Sequence, residues 1–378
     1  MVHGRELEHG VPDVLMSQSA TRRQDQLSLF ESDAALMARI RALPKVDLHR
    51  HLTGSLSADM AVKLGAAHNI ELPSYIASEL HQVLFSHSGI ETHADYFSPW
   101  QILNKLYKTP ASTQDLVWQV IEAASADNVA YMELRLGPRG FLGDADYSFE
   151  EFTQCVAQVV SRANATLTTQ TRCVLGIPRH VFIKVPETTR KKMLAKIIYT
   201  IREYPECFVG VDLNGDELAA PSSAFSSFFH LARDAGLGIT VHAGEIGSDA
   251  ADVAYAVEAL SATRIGHGLA AALDTRTLTM LGERKATMEL CPTSNVLLGV
   301  VDSVSGMPIR RLQQFGVPYA ICTDNPARCQ TSLSEELFKV AKAFSCTFDD
   351  ICQMVRLSVQ VSFADDAAKS RLRQLLPN

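Results

Sequence analysis

Eight short β-rich runs alternate with helix-period segments, and this alternation constrains the chain more than any other feature. The runs are Lys45–His51, Val129–Gly137, Arg172–Arg179, Phe208–Asn214, Gly238–Glu245, Arg264–Gly268, Ala286–Ser294 and Val317–Asp324. Between them, Leu116, Val117, Val120, Ile121 and Ala124 form one apolar stripe, and Met193, Leu194, Ile197, Ile198 and Ile201 form another. That spacing belongs to amphipathic helices. Alternating strands and helices imply parallel strands joined by right-handed crossovers. Eight such units predict an α/β protein of the (β/α)8 TIM-barrel type rather than an open doubly wound sheet. The stretch from Leu52 to Asn128 is too long for a single helix, so extra helices are expected after strand 1, capping one end of the barrel. Residues 1–33 read as a polar, flexible leader, with a short helix over Ala34–Leu43 before Pro44. Residues 34–378 are expected to form one barrel domain.

Several runs end in ionisable residues instead of fading into turns. The first ends His49-Arg50-His51, the fifth His242-Ala243-Gly244-Glu245, the sixth His267-Gly268 and the eighth Thr323-Asp324-Asn325. In such a barrel the C-terminal ends of all strands open onto one mouth, where active sites sit. His49 and His51 are two apart on a strand, so both side chains leave the same face. Two imidazoles on one face can chelate a metal. His242 and Asp324 from other strands would complete a nitrogen and oxygen set that leaves room for water. The set suits zinc and is also compatible with iron, cobalt or nickel. A metal held there would bring the ionisation of water close to neutral pH. Glu245, three residues past His242, is placed to face substrate as the proton carrier. His267 is placed to orient the attacking water and take its proton. His180, at the end of run three, reads as a supporting residue. His3, His9, His68, His81, His87, His93 and His230 read as ordinary surface or packing residues.

Composition and missing motifs narrow the rest. The chain has 42 acidic and 35 basic residues among 378, a net charge of −7. That balance argues against sequence-independent nucleic-acid binding, which needs clustered Lys and Arg. No run of 18 apolar residues predicts a membrane span, and Met1–Phe30 lacks the apolar core of a secretory signal. The eight cysteines are scattered without a CxxC pair, as expected for reduced thiols in a cytoplasmic protein. There is no phosphate-binding GxxxxGK[ST] loop, strand-linked GxGxxG, GxSxG elbow, HExxH or HxE…PCxxC signature. Run four ends Val211-Asp212-Leu213-Asn214-Gly215, without a Lys to bridge two metals. A single metal per chain follows.

The chain resembles the adenosine deaminase family of zinc-dependent amidohydrolases. The resemblance is carried by Pro44 to Leu52, Val211 to Glu217, Thr240 to Glu245, Arg264 to Gly268, Glu289 to Asn295 and Thr323 to Pro326. Tyr131-Met132-Glu133-Leu134-Arg135 is a further family-like strand. The motifs fall in the family's order between about residues 44 and 345. The resemblance implies one zinc ion on His49, His51, His242 and Asp324. It implies Glu245 protonating purine N1 and His267 assisting water. Gly215 would offer its backbone N–H to N3, and Asn325 would contact N7. The implied reaction converts a 6-aminopurine nucleoside, adenosine or 2′-deoxyadenosine, to the 6-oxopurine with release of ammonia. Thr53 departs from the family, whose members often place an Asp there against the ribose 5′-hydroxyl. Thr53 neither demands a free 5′-hydroxyl nor repels a phosphate, so adenine, N6-substituted AMP or another adenine-bearing metabolite is an alternative substrate. A barrel that binds nucleoside without turnover is the third reading, weakened by the complete catalytic set. The partner in every case is a small purine. Oligomeric state is not legible.

Overall fold

The computed structural model describes residues 32–86, 93–141, 144–247 and 249–377. The leader, up to residue 31, lies outside them. Eight parallel strands run in chain order around the sheet: β1 Lys45–His51, β2 Val129–Leu136, β3 Gln170–Pro178, β4 Phe208–Asn214, β5 Gly238–Ala243, β6 Arg264–His267, β7 Thr287–Leu290 and β8 Tyr319–Ile321. Each pairs with the next. The circle closes at one point, a bridge between Arg50 and Asp324. There the His51 N–H donates to Asp324 O and the Asp324 N–H to His49 O, both at 2.7 Å. This is the expected (β/α)8 barrel.

The helices pack outside the strands through the stripes read from sequence. Leu116, Val117, Val120, Ile121 and Ala124 are all buried on helix Pro110–Ala126. Thr109 caps that helix and Pro110 opens it, where a missing N–H costs nothing. Leu194, Ile197, Ile198 and Ile201 are buried on helix Glu187–Ile201, with Met193 half-buried. Each fully buried aliphatic side chain contributes about 1.5–3 kcal/mol. The expected short helix forms over Asp33–Ala42, capped by the Ser32 hydroxyl. After β1 come the extra helices: Ala58–His68, Ala77–Phe85, His93–Phe97 and Trp100–Leu103, then a 3-10 turn over Asn104–Tyr107.

The strand ends differ from expectation for local reasons. Run seven stops at Leu290 because Pro292 starts the helix Pro292–Leu297. Run five stops at Ala243 because Gly244 turns left-handed, with φ 74°. Run eight keeps only Tyr319–Ile321 as strand, and Asp324 sits at φ 59°. His267, the last residue of β6, has φ 61°. Left-handed backbone at non-glycine residues carries strain and gathers at functional positions. Here it turns two strand ends inward over the barrel mouth.

Candidate active site

The four proposed ligands converge at that mouth. His49 and His51 leave β1 on one face, His242 comes from β5, and Asp324 follows β8. His51 Nε2 lies 3.3 Å from both His49 Nε2 and His242 Nε2. Asp324 Oδ1 lies 3.6 Å from His49 Nε2 and 3.4 Å from His51 Nε2. A tetrahedral ion with donors at ~2.0–2.2 Å sets those donors about 3.3–3.6 Å apart. Gly266 makes this approach possible. A Cβ there would stand 3.0 Å from His49 Cε1 and 3.3 Å from His242 Cγ.

The opposite ring nitrogens explain why the Nε2 atoms face inward as acceptors. His49 Nδ1 lies 2.9 Å from Glu289 Oε2, and His242 Nδ1 lies 3.0 Å from Asp212 Oδ1. A carboxylate at Nδ1 holds the proton there and leaves a lone pair on Nε2. Burial, with two neighbouring imidazoles, pushes His51 down to about 3, so it is neutral at pH 7. Lone pairs brought together without protons between them fit a cation.

Charge beneath the site fits a divalent one. Arg135 Nη1 donates to Asp212 Oδ2 at 3.1 Å, and its Nη2 pairs with Glu289. Arg264 pairs with Glu133 and, through Nε, with Glu289 Oε1 at 2.7 Å. All five side chains are at most 1% exposed. Three carboxylates against two guanidinium groups leave one negative charge, and Asp324 supplies a second. A buried ionic set is tolerated when its charges are matched. Sequence reasoning assigned none of these five a role. The available signal was Tyr131, Glu133 and Arg135, which alternate along an otherwise apolar strand and so share one face.

Glu245 and His267 stand beside the ligand cluster, with Glu245 Oε1 3.4 Å from His267 Nε2. Burial, reinforced by the Asp324 and Glu217 carboxylates, raises the Glu245 carboxyl well above its ordinary range. The shift favours the protonated carboxyl over the carboxylate. Burial beside His49 pushes His267 well down, so it is a neutral imidazole. Its Nδ1 lies 3.2 Å from Asn295 Nδ2.

Both face a cavity of about 820 Å³ that also reaches Thr53, Gly215 and Asn325. Gly54 allows the last of these its position, because a Cβ at residue 54 would land on the Asn325 carboxamide. Tyr96, Phe97 and Trp100 of the insert line the cavity, and Leu103 packs in the core. His180 lines the cavity too, outside the ligand cluster. His68 pairs with Asp115, His81 packs on Phe85, and His230 reaches Ala259 O. His3, His9, His87 and the His93 side chain lie outside the described residues. No helix among the described residues is long and apolar enough to cross a membrane.

A parallel barrel with a histidine and carboxylate cluster at its C-terminal mouth has the arrangement that can hold a metal ion for hydrolysis. Residues 44–378 match the profile of the family described as adenosine deaminase, and the chain belongs to that family. It is 29% identical over 336 residues to an adenosine deaminase of Clostridium perfringens, covering 88% of this chain and 97% of that one. The barrel is similar to an adenine deaminase from Arthrobacter aurescens, with TM-score 0.77, 23% identity, and 88% and 98% of the two chains covered. It is also similar to a zinc-bound amidohydrolase from Burkholderia ambifaria, with TM-score 0.78, 22% identity, and 92% and 93% covered.

Proposed function

We propose that this enzyme hydrolyses 6-aminopurine nucleosides, adenosine and 2′-deoxyadenosine, to the 6-oxopurine and ammonia. It would do so with one zinc ion on His49, His51, His242 and Asp324. The observation that carries this reading is the Glu245 carboxyl, 3.4 Å from His267, on the same cavity as the converging ligand atoms. Zinc, when bound, would supply Lewis acidity and make water more acidic. Glu245 donates its proton to N1 of the purine, which makes C6 electrophilic. His267, neutral and next to Glu245, orients the attacking water and accepts its proton. The water oxygen adds to C6, His267 passes the proton it took to the amino group, the C6–N bond breaks as ammonia leaves, and the remaining hydroxyl proton returns to Glu245 as the 6-oxo group forms. Asn325 donates its amide N–H to N7, a contact that an amide makes without needing to be protonated. The Gly215 N–H serves N3, and Thr53 lies toward the sugar. Acid–base help of this kind contributes about 10²–10⁴-fold per group.

The test follows the ultraviolet change from 6-aminopurine to 6-oxopurine in the zinc-loaded protein. The panel holds adenosine, 2′-deoxyadenosine, adenine, AMP and N6-methyl-AMP. Turnover of the nucleosides ahead of the rest is expected. Zinc at one per chain with no ammonia from either nucleoside would refute the proposal.

A further inference from the structure

A base at His267 needs a bare Nε2. In a neutral imidazole one ring nitrogen carries hydrogen and the other offers a lone pair, and the hydrogen bond made at one decides the state of the other. His267 Nε2 faces Glu245 Oε1 at 3.4 Å. A protonated carboxyl can donate or accept at that point, so Glu245 fits either form of the ring. The deciding contact lies at Nδ1.

The partner of Nδ1 among the described residues is the Asn295 carboxamide, whose Nδ2 stands 3.2 Å away. Asn295 is fully buried, and its Oδ1 has no hydrogen-bond partner. The Cys291 thiol, also close to His267, is turned to Glu289 O at 3.7 Å. The helix that carries Asn295, Pro292–Leu297, is tied down on both sides. Its Thr293 N–H donates to the buried Glu336 carboxylate at 2.9 Å, and the Asn295 carbonyl accepts from the Val300 N–H at 3.0 Å. With the backbone held in place, the carboxamide has two placements in one volume, related by a half-turn that exchanges Oδ1 and Nδ2.

The two placements command opposite chemistry. With Nδ2 toward the ring, Nδ1 must be bare, the ring proton sits on Nε2, and His267 can take nothing from water. With Oδ1 toward the ring, Nδ1–H donates to it and Nε2 is bare. Once Nε2 has accepted a proton, both ring nitrogens are donors, and only the oxygen can face Nδ1. The same half-turn gives the orphaned Oδ1 a donor.

We propose, resting on the deaminase reading above, that Asn295 is the positioning residue for proton transfer. Its carboxamide oxygen holds the proton on His267 Nδ1 and steadies the imidazolium while His267 carries the water proton to the amino group. An amide does this without adding another charge beside Glu245 and Asp324.

The tautomer is read from the ring ¹⁵N resonances of His267 in the zinc-loaded full chain labelled with ¹⁵N-histidine, assigned by their loss in His267→Gln. A protonated Nδ1 and a bare Nε2 are expected. A bare Nδ1, or a ring protonated at both nitrogens, overturns the proposal. Asn295→Leu has similar volume and no hydrogen bond to offer; its kcat should fall about 10–100-fold, with zinc retained and KM within about twofold. Asn295→Asp keeps an oxygen at that point and should turn over about tenfold faster than Asn295→Leu. A parent-like kcat in Asn295→Leu overturns the proposal, as does a loss that Asn295→Asp fails to recover. Absence of ammonia from every purine of the panel in the parent, with zinc bound, removes the deaminase reading instead, and the ring resonances still report whether Asn295 sets the tautomer.

Discussion

Asp212→Ala separates what the buried carboxylate does for His242 from what it does for the core. The carboxylate accepts from His242 Nδ1 at 3.0 Å and from Arg135 Nη1 at 3.1 Å, with no exposure to solvent. Losing the first contact frees the imidazole to rotate and to move its proton to Nε2. Comparable losses beside metal ligands cost about 10–100-fold in metal affinity, or ~1.4–2.7 kcal/mol. Losing the second leaves Arg135 with Glu289 alone. Removing one partner from a buried ion pair costs about 3–5 kcal/mol, and the surviving Glu289 contact puts this case near the lower figure. Two measurements follow: zinc affinity by competition with a chromophoric chelator, and denaturant unfolding of the metal-free protein. Both should fall in Asp212→Ala. Asp212→Asn should lose less zinc affinity, because its carbonyl oxygen can still accept from Nδ1. An Asp212→Ala protein of lower stability but unchanged zinc affinity would refute the positioning argument.

Glu245→Gln should keep zinc but lose about 10²–10⁴-fold in turnover, since an amide cannot deliver a proton to N1. Near-normal activity would contradict the proposed mechanism. The same variant carries a stability signature. The folded Glu245 carboxyl titrates well above its ordinary 4.5, so the unfolded chain loses its proton first and stability falls as pH rises between those two values. Metal-free Glu245→Gln should therefore gain stability over the parent at neutral pH and not at pH 4; an equal gain at both would exclude the linkage. Asp324→Ala should lower zinc content, and unchanged content would remove it from the ligand set. Gly54→Ala pushes on the Asn325 carboxamide; reduced kcat/KM with zinc retained is expected, and unaffected kinetics would dissociate Asn325 from purine binding.

The positions of the proposed ligands were legible because each lies at or just past the end of an apolar run, where a polar residue is conspicuous. His49, His51, His242 and Asp324 could be placed at one mouth once the barrel was inferred. The supporting charges were not legible in the same way. Glu133, Arg135, Asp212, Arg264 and Glu289 sit on four different strands, and only barrel closure reveals that they face each other. A guanidinium in the centre of a strand reads as an edge or surface position until its partners are known. Run lengths failed where backbone overrode composition, as at Pro292 and at left-handed Gly244.

The closure of the barrel at Asp324 ties the first strand to the last. On either side of this seam the backbones exchange two hydrogen bonds, and Thr323 Oγ1 donates to Asp47 Oδ2 at 2.6 Å. The side chains that would share an ion also straddle it, His49 and His51 on one lip and Asp324 on the other. An ion bound there would act as a rivet across the joint, so part of its binding energy would hold the cylinder shut. Loss of the ion would then weaken the molecule first along one line, where the earliest and latest strands to leave a ribosome meet.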